Sequence, residues 1–321
     1  MSMSTRNMDA LIRSELWSAE LKDSLKDDLM ATGYVNWLNG FPDGNVFTIP
    51  SIGDATVRDY AEDTPIVYDA LDTGEFQFSI TEYLSSGNYI TDKARQDAFY
   101  AAQLEASFVP KQRRAIMEKV ETDILALAAG GASGGQTAAN PNTINGADHR
   151  WVCSAANEVM TVSDFAKARY ALKKANVPDR NLIAIVDPSV EYELNTITNL
   201  TNVSNNPRWE GIITSGIASG MSFIKNIYGF DVYVSNYLPD GNESITSGGD
   251  SSTTTAGKCN LFFSADSSIL PFVGAWRQLP KVDGEYNKDF QREEYVTTCR
   301  YGLKVYRPEN LVVVLSDTDQ V

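Results

Sequence analysis

The chain is 321 residues long and 43% hydrophobic, enough for a large core arranged as two subdomains or one elaborate domain. Its 42 acidic residues against 27 basic ones give a formal net charge of -15, which argues against a surface that grips nucleic acid through clustered Lys and Arg, though not against a wall that surrounds it. A single histidine and three scattered cysteines, Cys153, Cys259 and Cys299, with no CxxC pair exclude a His-rich metal site and give no zinc or redox motif, so free, buried thiols are expected.

The opening stretch MSMSTRNMDALIRSELW is polar where a signal peptide needs an apolar run of roughly 7–15 residues. Nowhere do about 18 apolar residues follow one another, as a membrane-spanning helix requires. A cytosol-like compartment and no membrane partner are therefore expected. From Met8 to Met30, Leu11, Leu16, Leu21, Leu25 and Leu29 stand among charges, which predicts one or two amphipathic helices. Turn signals in GYVNWLNGFPDG break the pattern, and a β-ribbon follows over about Val46 to Tyr83. In its last strand Phe76, Phe78 and Ile80 share one face, while Gln77, Ser79 and Thr81 take the other. A lone two-stranded ribbon is marginal in water and has open edges. Either a core elsewhere in the chain or a neighbouring subunit must cover it.

The stretch TDKARQDAFYAAQLEASFVPKQRRAIMEKVETDILALAAGG is the most helical part, with Thr91 or Asp92 as N-cap. Ile116, Val120, Ile124 and Leu127 form its apolar stripe, and Arg114 and Glu118 are spaced for an i,i+4 pair worth about 0.3–0.5 kcal/mol when exposed. Pro110 should kink or split the rod, because it removes a backbone donor and crowds the preceding turn. Beyond GGASGG, TVSDFAKARYALKKANVP reads as a capped helix stopped by Pro178, NLIAIVD as a short buried strand, and PSVEYELNTI as a helix with Pro188 near its first position. IKNIYGFDVYVSNYLP reads as strand, turn and strand. The Ser/Thr/Gly tract GNESITSGGDSSTTTAGK reads as a flexible surface loop. NLFFSADSSILPFVG, REEYVTTCRYGLKVY and NLVVVLS supply the closing strands.

No constellation for catalysis emerges. His149 lies among turn residues, and a single HxxxC spacing to Cys153 is not a metal site. GASGG at 131–135 meets the letter of a nucleophile elbow, but that motif needs a strand before it and a helix after it, whereas a helix precedes and a polar loop follows. Glu293 and Glu294 are adjacent, so on a strand they point to opposite faces. The ribbon aromatics Tyr60, Tyr68, Phe76, Phe78 and Tyr83 suit an interface better than a ligand platform.

The ordered set of helical arm, long ribbon, long helix, mixed α/β region and terminal strands resembles the major capsid proteins of tailed bacteriophages, which share the α+β Hong Kong 97-type capsid fold. IPSIGDATVRDYAEDTPIVYDAL followed by FSITEYLSSGNYITDKARQ is similar to the extended loop and spine-helix entry of capsid proteins from short-tailed phages, including cyanobacterial ones. VETDILAL is similar to the end of that helix, ALKKANVPDRNLIAIVDPSVEYEL to the axial domain, GFDVYVSNYLP to its central strand pair, and RYGLKVYRPENLVVV to the closing peripheral strands. The resemblance implies an N-terminal arm at 1–44, an extended β-ribbon loop at 45–84, the spine helix with part of the peripheral domain at 85–154, an axial domain at 155–270 and peripheral-domain strands at 271–321.

By the same resemblance the chain would form pentamers and hexamers of an icosahedral head that encloses double-stranded DNA without sequence-specific binding. It would be assembled in the host cytoplasm and kept in the virion capsid. The ribbon would lie across an adjacent subunit through Arg58, Tyr60, Tyr68, Phe76, Phe78 and Ile80, and the arm would cross a neighbour through Leu11 and Trp17. Cement, scaffolding and portal proteins are the further partners implied; no cofactor, metal or catalytic residue is. With -15 per subunit, assembly should depend on ionic strength. An encapsulin-like compartment shell on the same fold, an acidic cytosolic hydrolase, and a cement or tail protein stay open as alternatives.

Overall fold

The computed structural model describes residues 29–38, 46–52, 57–59, 62, 63, 65, 68, 73–97, 101–129, 143–153, 158–196, 226–241, 244–247, 250–253 and 257–317. The amphipathic helices expected before residue 29 and the GASGG stretch lie outside them. In chain order the first elements are strands β1 (Val35–Leu38), β2 (Val46–Ile52), β3 (Thr73–Ser79) and β4 (Glu82–Thr91), then helices α1 (Asp92–Asp97) and α2 (Ala101–Ala126). Thr91 caps α1, its Oγ1 accepting the Ala94 N–H at 3.2 Å, which satisfies a donor that every helix start leaves over. Pro110 does not split α2, which runs continuously through it. The proline sits at an exposed position, where the carbonyl deprived of its donor can bond water. The expected stripe is present: Ile116, Val120 and Ile124 are at most 3% exposed, with Leu127 packed beside them. Arg114 and Glu118 pair at 3.1 Å.

The remaining elements are β5 (Thr143–Ile144), β6 (Ala147–Asp148), β7 (Arg150–Val152), α3 (Val162–Lys174), β8 (Leu182–Val186), α4 (Pro188–Thr196), β9 (Asn226–Ile227) and β10 (Phe230–Val234). They are followed by β11 (Asp240–Gly241), β12 (Ser244–Ser247), β13 (Asp250–Thr253), β14 (Gly257–Ser264), β15 (Phe272–Asn287), β16 (Arg292–Val305) and β17 (Val312–Asp317). The helix α3 opens with a full capping box, Thr161 and Asp164 each bonding the other's backbone. In the β9–β10 turn, Tyr228 at φ 50° and Gly229 at φ 91° give the left-handed pair that a tight hairpin of this hand demands.

Two sheets carry the architecture. The first runs β1-β15-β16-β4 and is dominated by the β15–β16 hairpin, in register from Phe272↔Val305 to Asn287↔Arg292. The pairing slips around Gln278, where Pro280 cannot donate a ladder bond. The helix α2 covers one face. Gln112 donates to the Tyr295 carbonyl at 2.9 Å and accepts from the Thr297 hydroxyl at 2.8 Å, and the Tyr301 hydroxyl donates to Asp123 at 2.6 Å. Burial, helped by that carboxylate, raises the Tyr301 phenol well above its ordinary pKa.

The second sheet runs β7-β17-β14-β8-β10-β9 and is covered on both faces. Along β17, Val313 and Leu315 join the α2 core, while Val312 and Val314 join the core containing Phe165 of α3 and Phe230. Double coverage explains why NLIAIVD and NLVVVLS are continuous apolar runs instead of alternating ones. Strand β17 belongs to the sheet of β8 and β14 and not to that of β15 and β16. Buried amides stitch the loops. Asn260 accepts from the Asp187 N–H at 2.9 Å and donates to Ser316 at 2.8 Å, and Asn310 clamps Ser264 through its N–H at 2.8 Å and its carbonyl at 2.8 Å.

Two elements depart from the expected ones. The tract read as a flexible loop contains a β12–β13 hairpin, Ser247 facing Asp250 across Gly248-Gly249. GYVNWLNG holds β1, parallel to β15. All three cysteines are free and buried, as expected.

Candidate interaction surfaces

The ribbon consists of β2 and β3, paired from Val46↔Ser79 to Ile52↔Thr73. Its root lies on the face of the first sheet turned away from α2. Phe78 and Ile80, each 4% exposed, pack on Val273 and Ala275. Phe76 meets the ring of Tyr306 edge-on at 5.0 Å, and Lys304 stands 4.8 Å over the Phe76 ring while donating to the Gln77 carbonyl at 2.7 Å. Gly302 lets the backbones cross, because a Cβ there would lie 2.7 Å from the Ser79 oxygen and 2.9 Å from the Ile80 Cα. The expectation that a neighbouring subunit covers Phe78 and Ile80 is therefore corrected. This chain's own β15 and β16 cover them, and Phe76 is half-buried beside them.

The far part of the ribbon differs. Val57 is 95% and Tyr68 90% exposed, with Arg58, Asp59, Glu62, Asp63 and Pro65 exposed around them. Tyr60, Leu11 and Trp17 lie outside the described residues. Single exposed apolar side chains are ordinary on a protein surface; Val57 and Tyr68 differ from the buried root residues in that no core among the described residues covers them.

On the same sheet face as the root, one row of directly opposed residues holds Tyr83 of β4, Arg300 of β16 and Gln278 of β15. With Thr81 and Arg277 they line an open groove, whose floor is tied by the Gln278 amide donating to Thr298 at 3.0 Å. Tyr83 is 64% exposed. At the hairpin tip the Arg292 guanidinium lies 4.4 Å from the Tyr89 ring centre and 4.7 Å from that of Phe290, and it donates to Glu294 at 2.5 Å. That bond, more than any other influence, lowers the Glu294 pKa. Behind the tip, Arg95 of α1 grips Glu293 through two bonds of 2.9 and 2.5 Å. Glu293 and Glu294 thus point to opposite faces and are each committed to an arginine.

Chemistry is correspondingly sparse. His149 is 2% exposed, its Nδ1 3.1 Å from the Ala147 carbonyl, and burial lowers its pKa. Among the described residues no group of three His, Cys, Asp or Glu side chains gathers to hold a metal. No helix there is long and apolar enough to cross a membrane. The groove arginines and Phe290 were not singled out from sequence. An aromatic residue inside the polar turn NKDFQ was the available signal for the tip.

A family model described as phage capsid protein matches residues 53–314. Among solved structures, the capsid of cyanophage P-SCSP1u is similar at a TM-score of 0.71 and 18% identity, over 96% of this chain and 93% of that one. The acid-stable capsid of Helicobacter pylori bacteriophage KHP30 is similar at 0.68 and 10%, over 99% of both, and the structure from Mycobacterium phage Che8 at 0.65 and 20%, over 95% and 97%. At these identities the structures speak for the fold. No curated protein sequence matches the chain.

Proposed function

The chain belongs to the phage capsid protein family, and from that premise we propose how its surfaces build a shell. It is the major capsid protein of a tailed bacteriophage, has the Hong Kong 97-type capsid fold, assembles into multimeric shells and resides in the virion capsid. The compartment and hydrolase readings are not favoured by this match. Its role is structural, and the proposed assembly units are pentamers and hexamers around double-stranded DNA held without sequence-specific contacts. Cement, scaffolding and portal proteins are the further partners in this reading. The arm at 1–44, the spine region at 85–154, the axial domain at 155–270 and the peripheral strands at 271–321 divide the work.

One observation carries the assembly reading: Val57 and Tyr68, at 95% and 90% exposed, stand on a ribbon whose root is already satisfied by its own chain. The distal ribbon, with Arg58, Tyr60 and Tyr68, then reaches the adjacent subunit, and the arm with Leu11 and Trp17 crosses another. Burying the two bare side chains contributes on the order of 3–5 kcal/mol per subunit at about 25 cal/mol per Å², and closed symmetry multiplies that contact. Sedimentation of Val57→Ser/Tyr68→Ser beside the parent tests this. The variant should fold normally yet stay as small species where the parent forms shells, and equal assembly would remove these residues from the interface.

A further inference from the structure

The first sheet has two long edges, and only one of them is defended. Beyond Ala275, where β1 ends its pairing, the outer side of β15 carries Pro280, Lys281 and the register shifts around Gln278. Proline, lysine and an irregular ladder are devices that keep an open edge from recruiting another strand. The opposite edge is β4, the last strand in the order. It pairs with β16 in unbroken register from Glu82↔Tyr301 to Thr91↔Arg292. Its ten residues include no proline or lysine, and their one charge is Glu82 at the first position. Among the described residues no strand pairs with its outer side. A regular, almost uncharged edge of this length is a template of backbone donors and acceptors.

Gly87 stands in the middle of that edge. Glycine inside a strand marks a bulge, a bend or a place where another backbone comes close. The ladder is unbroken there and φ is not positive. A Cβ would make only ordinary contact, with Val296 Cγ2 at 3.5 Å and the Tyr295 carbonyl oxygen at 3.8 Å, so nothing among the described residues calls for a glycine. We propose that β4 pairs antiparallel with the β4 of a second copy about a two-fold axis at Gly87, an inference that rests on the reading that the chain assembles with itself. Such an isologous contact uses the same patch on both copies, and a two-fold normal to the sheet sets residues of the same face opposite one another. Tyr83 then meets Thr91 and Ser85 meets Tyr89 on one face, while Leu84 meets Ile90 on the other. Aromatic, hydroxyl and aliphatic pairs of this kind stabilise neighbouring strands. Glu82 falls outside the ladder, so no like charges meet in a chain at -15. The pairing ends where the strand does, because α1 begins at Asp92.

Charge placed at the axis tests the pairing in the full-length chain. Gly87→Lys and Gly87→Glu each set two like charges face to face. Either alone should raise the critical concentration for assembly, followed by light scattering, about tenfold, which is ~1.4 kcal/mol per contact. Mixed in equal amounts, the two variants put a lysine against a glutamate, and assembly should recover toward the parent, a rescue that misfolded chains would not give. Separately, Gly87→Cys under mild oxidation should yield linked pairs of chains, because the native thiols are buried. Ser85→Cys, whose counterpart lies ~13 Å along the ladder, should stay unlinked. Shells from both charged variants at the parent's concentration, or variants still impaired when mixed, would overturn the β4 pairing while leaving the assembly reading intact, as would cysteine links at both positions or at neither. A parent that never assembles would overturn both.

Discussion

Replacing Gly302 with alanine probes the seat of the ribbon. The new methyl carbon would sit 2.7 Å from the Ser79 oxygen and 2.9 Å from the Ile80 Cα. Both are backbone atoms, so the strand itself must retreat by about half an ångström, a gap that forfeits a quarter or more of each dispersion contact it opens. The contacts affected are those of Phe78 and Ile80 with Val273 and Ala275. Overpacking of this kind costs about 1–3 kcal/mol. Together with the loosened root, a loss of roughly 2–3 kcal/mol is expected, which for a chain of this length lowers Tm by about 3–5 °C. Gly33 is the control, because nothing lies within 4 Å of a Cβ there, and Gly33→Ala should stay within about 0.5 kcal/mol of the parent. Calorimetry on unassembled subunits at one concentration reads the difference, and limited proteolysis should find the 53–72 segment and its root cut faster in Gly302→Ala alone. A Gly302→Ala chain that melts with the parent would refute the crossing of β3 over β16.

Two further outcomes follow from buried groups. Glu121 is fully buried and accepts the Met30 N–H at 2.9 Å and the Ala31 N–H at 2.8 Å, tying these two residues to α2; Glu121→Ala strands these donors and should cost about 2–4 kcal/mol, read as a lower Tm by calorimetry. His149 is held by burial below its ordinary pKa of 6.5, so as pH falls the unfolded chain takes the proton first. Its contribution is complete above pH 6.5 and is lost as pH drops through that value toward the folded one, by at most about 1.4 kcal/mol per pH unit. As it is the sole histidine, His149→Gln should flatten the Tm-against-pH curve between pH 7 and 6, and curves of equal slope would contradict the assignment.

Local signals carried much of the fold. The 116-120-124 stripe, the Thr161–Asp164 box and the apolar run of β8 depend on neighbours a few residues away, and periodicity reports those directly. β1 escaped because four residues earn strand status only from a parallel partner, β15, near the other end of the chain. β12–β13 escaped because Ser and Thr in a polar tract look like linker, although Gly-Gly with strand-formers on either side is also a hairpin signal. The alternation at Phe76, Phe78 and Ile80 revealed a buried face but not its cover, which depends on Val273, Ala275 and the missing Cβ at Gly302. The groove was hidden for the same reason. Tyr83, Arg277 and Arg300 become neighbours only once β4, β15 and β16 are in register.

The central claim, that the distal ribbon joins one copy to the next, is tested most directly by electron microscopy of the purified chain beside a variant lacking residues 53–72, across a salt series. Closed shells from the intact chain, favoured as salt screens the -15 per subunit, with a folded but unassembled deletion variant, are the predicted result. Shells of the same diameter from the deletion variant, or assembly indifferent to salt, would contradict the account.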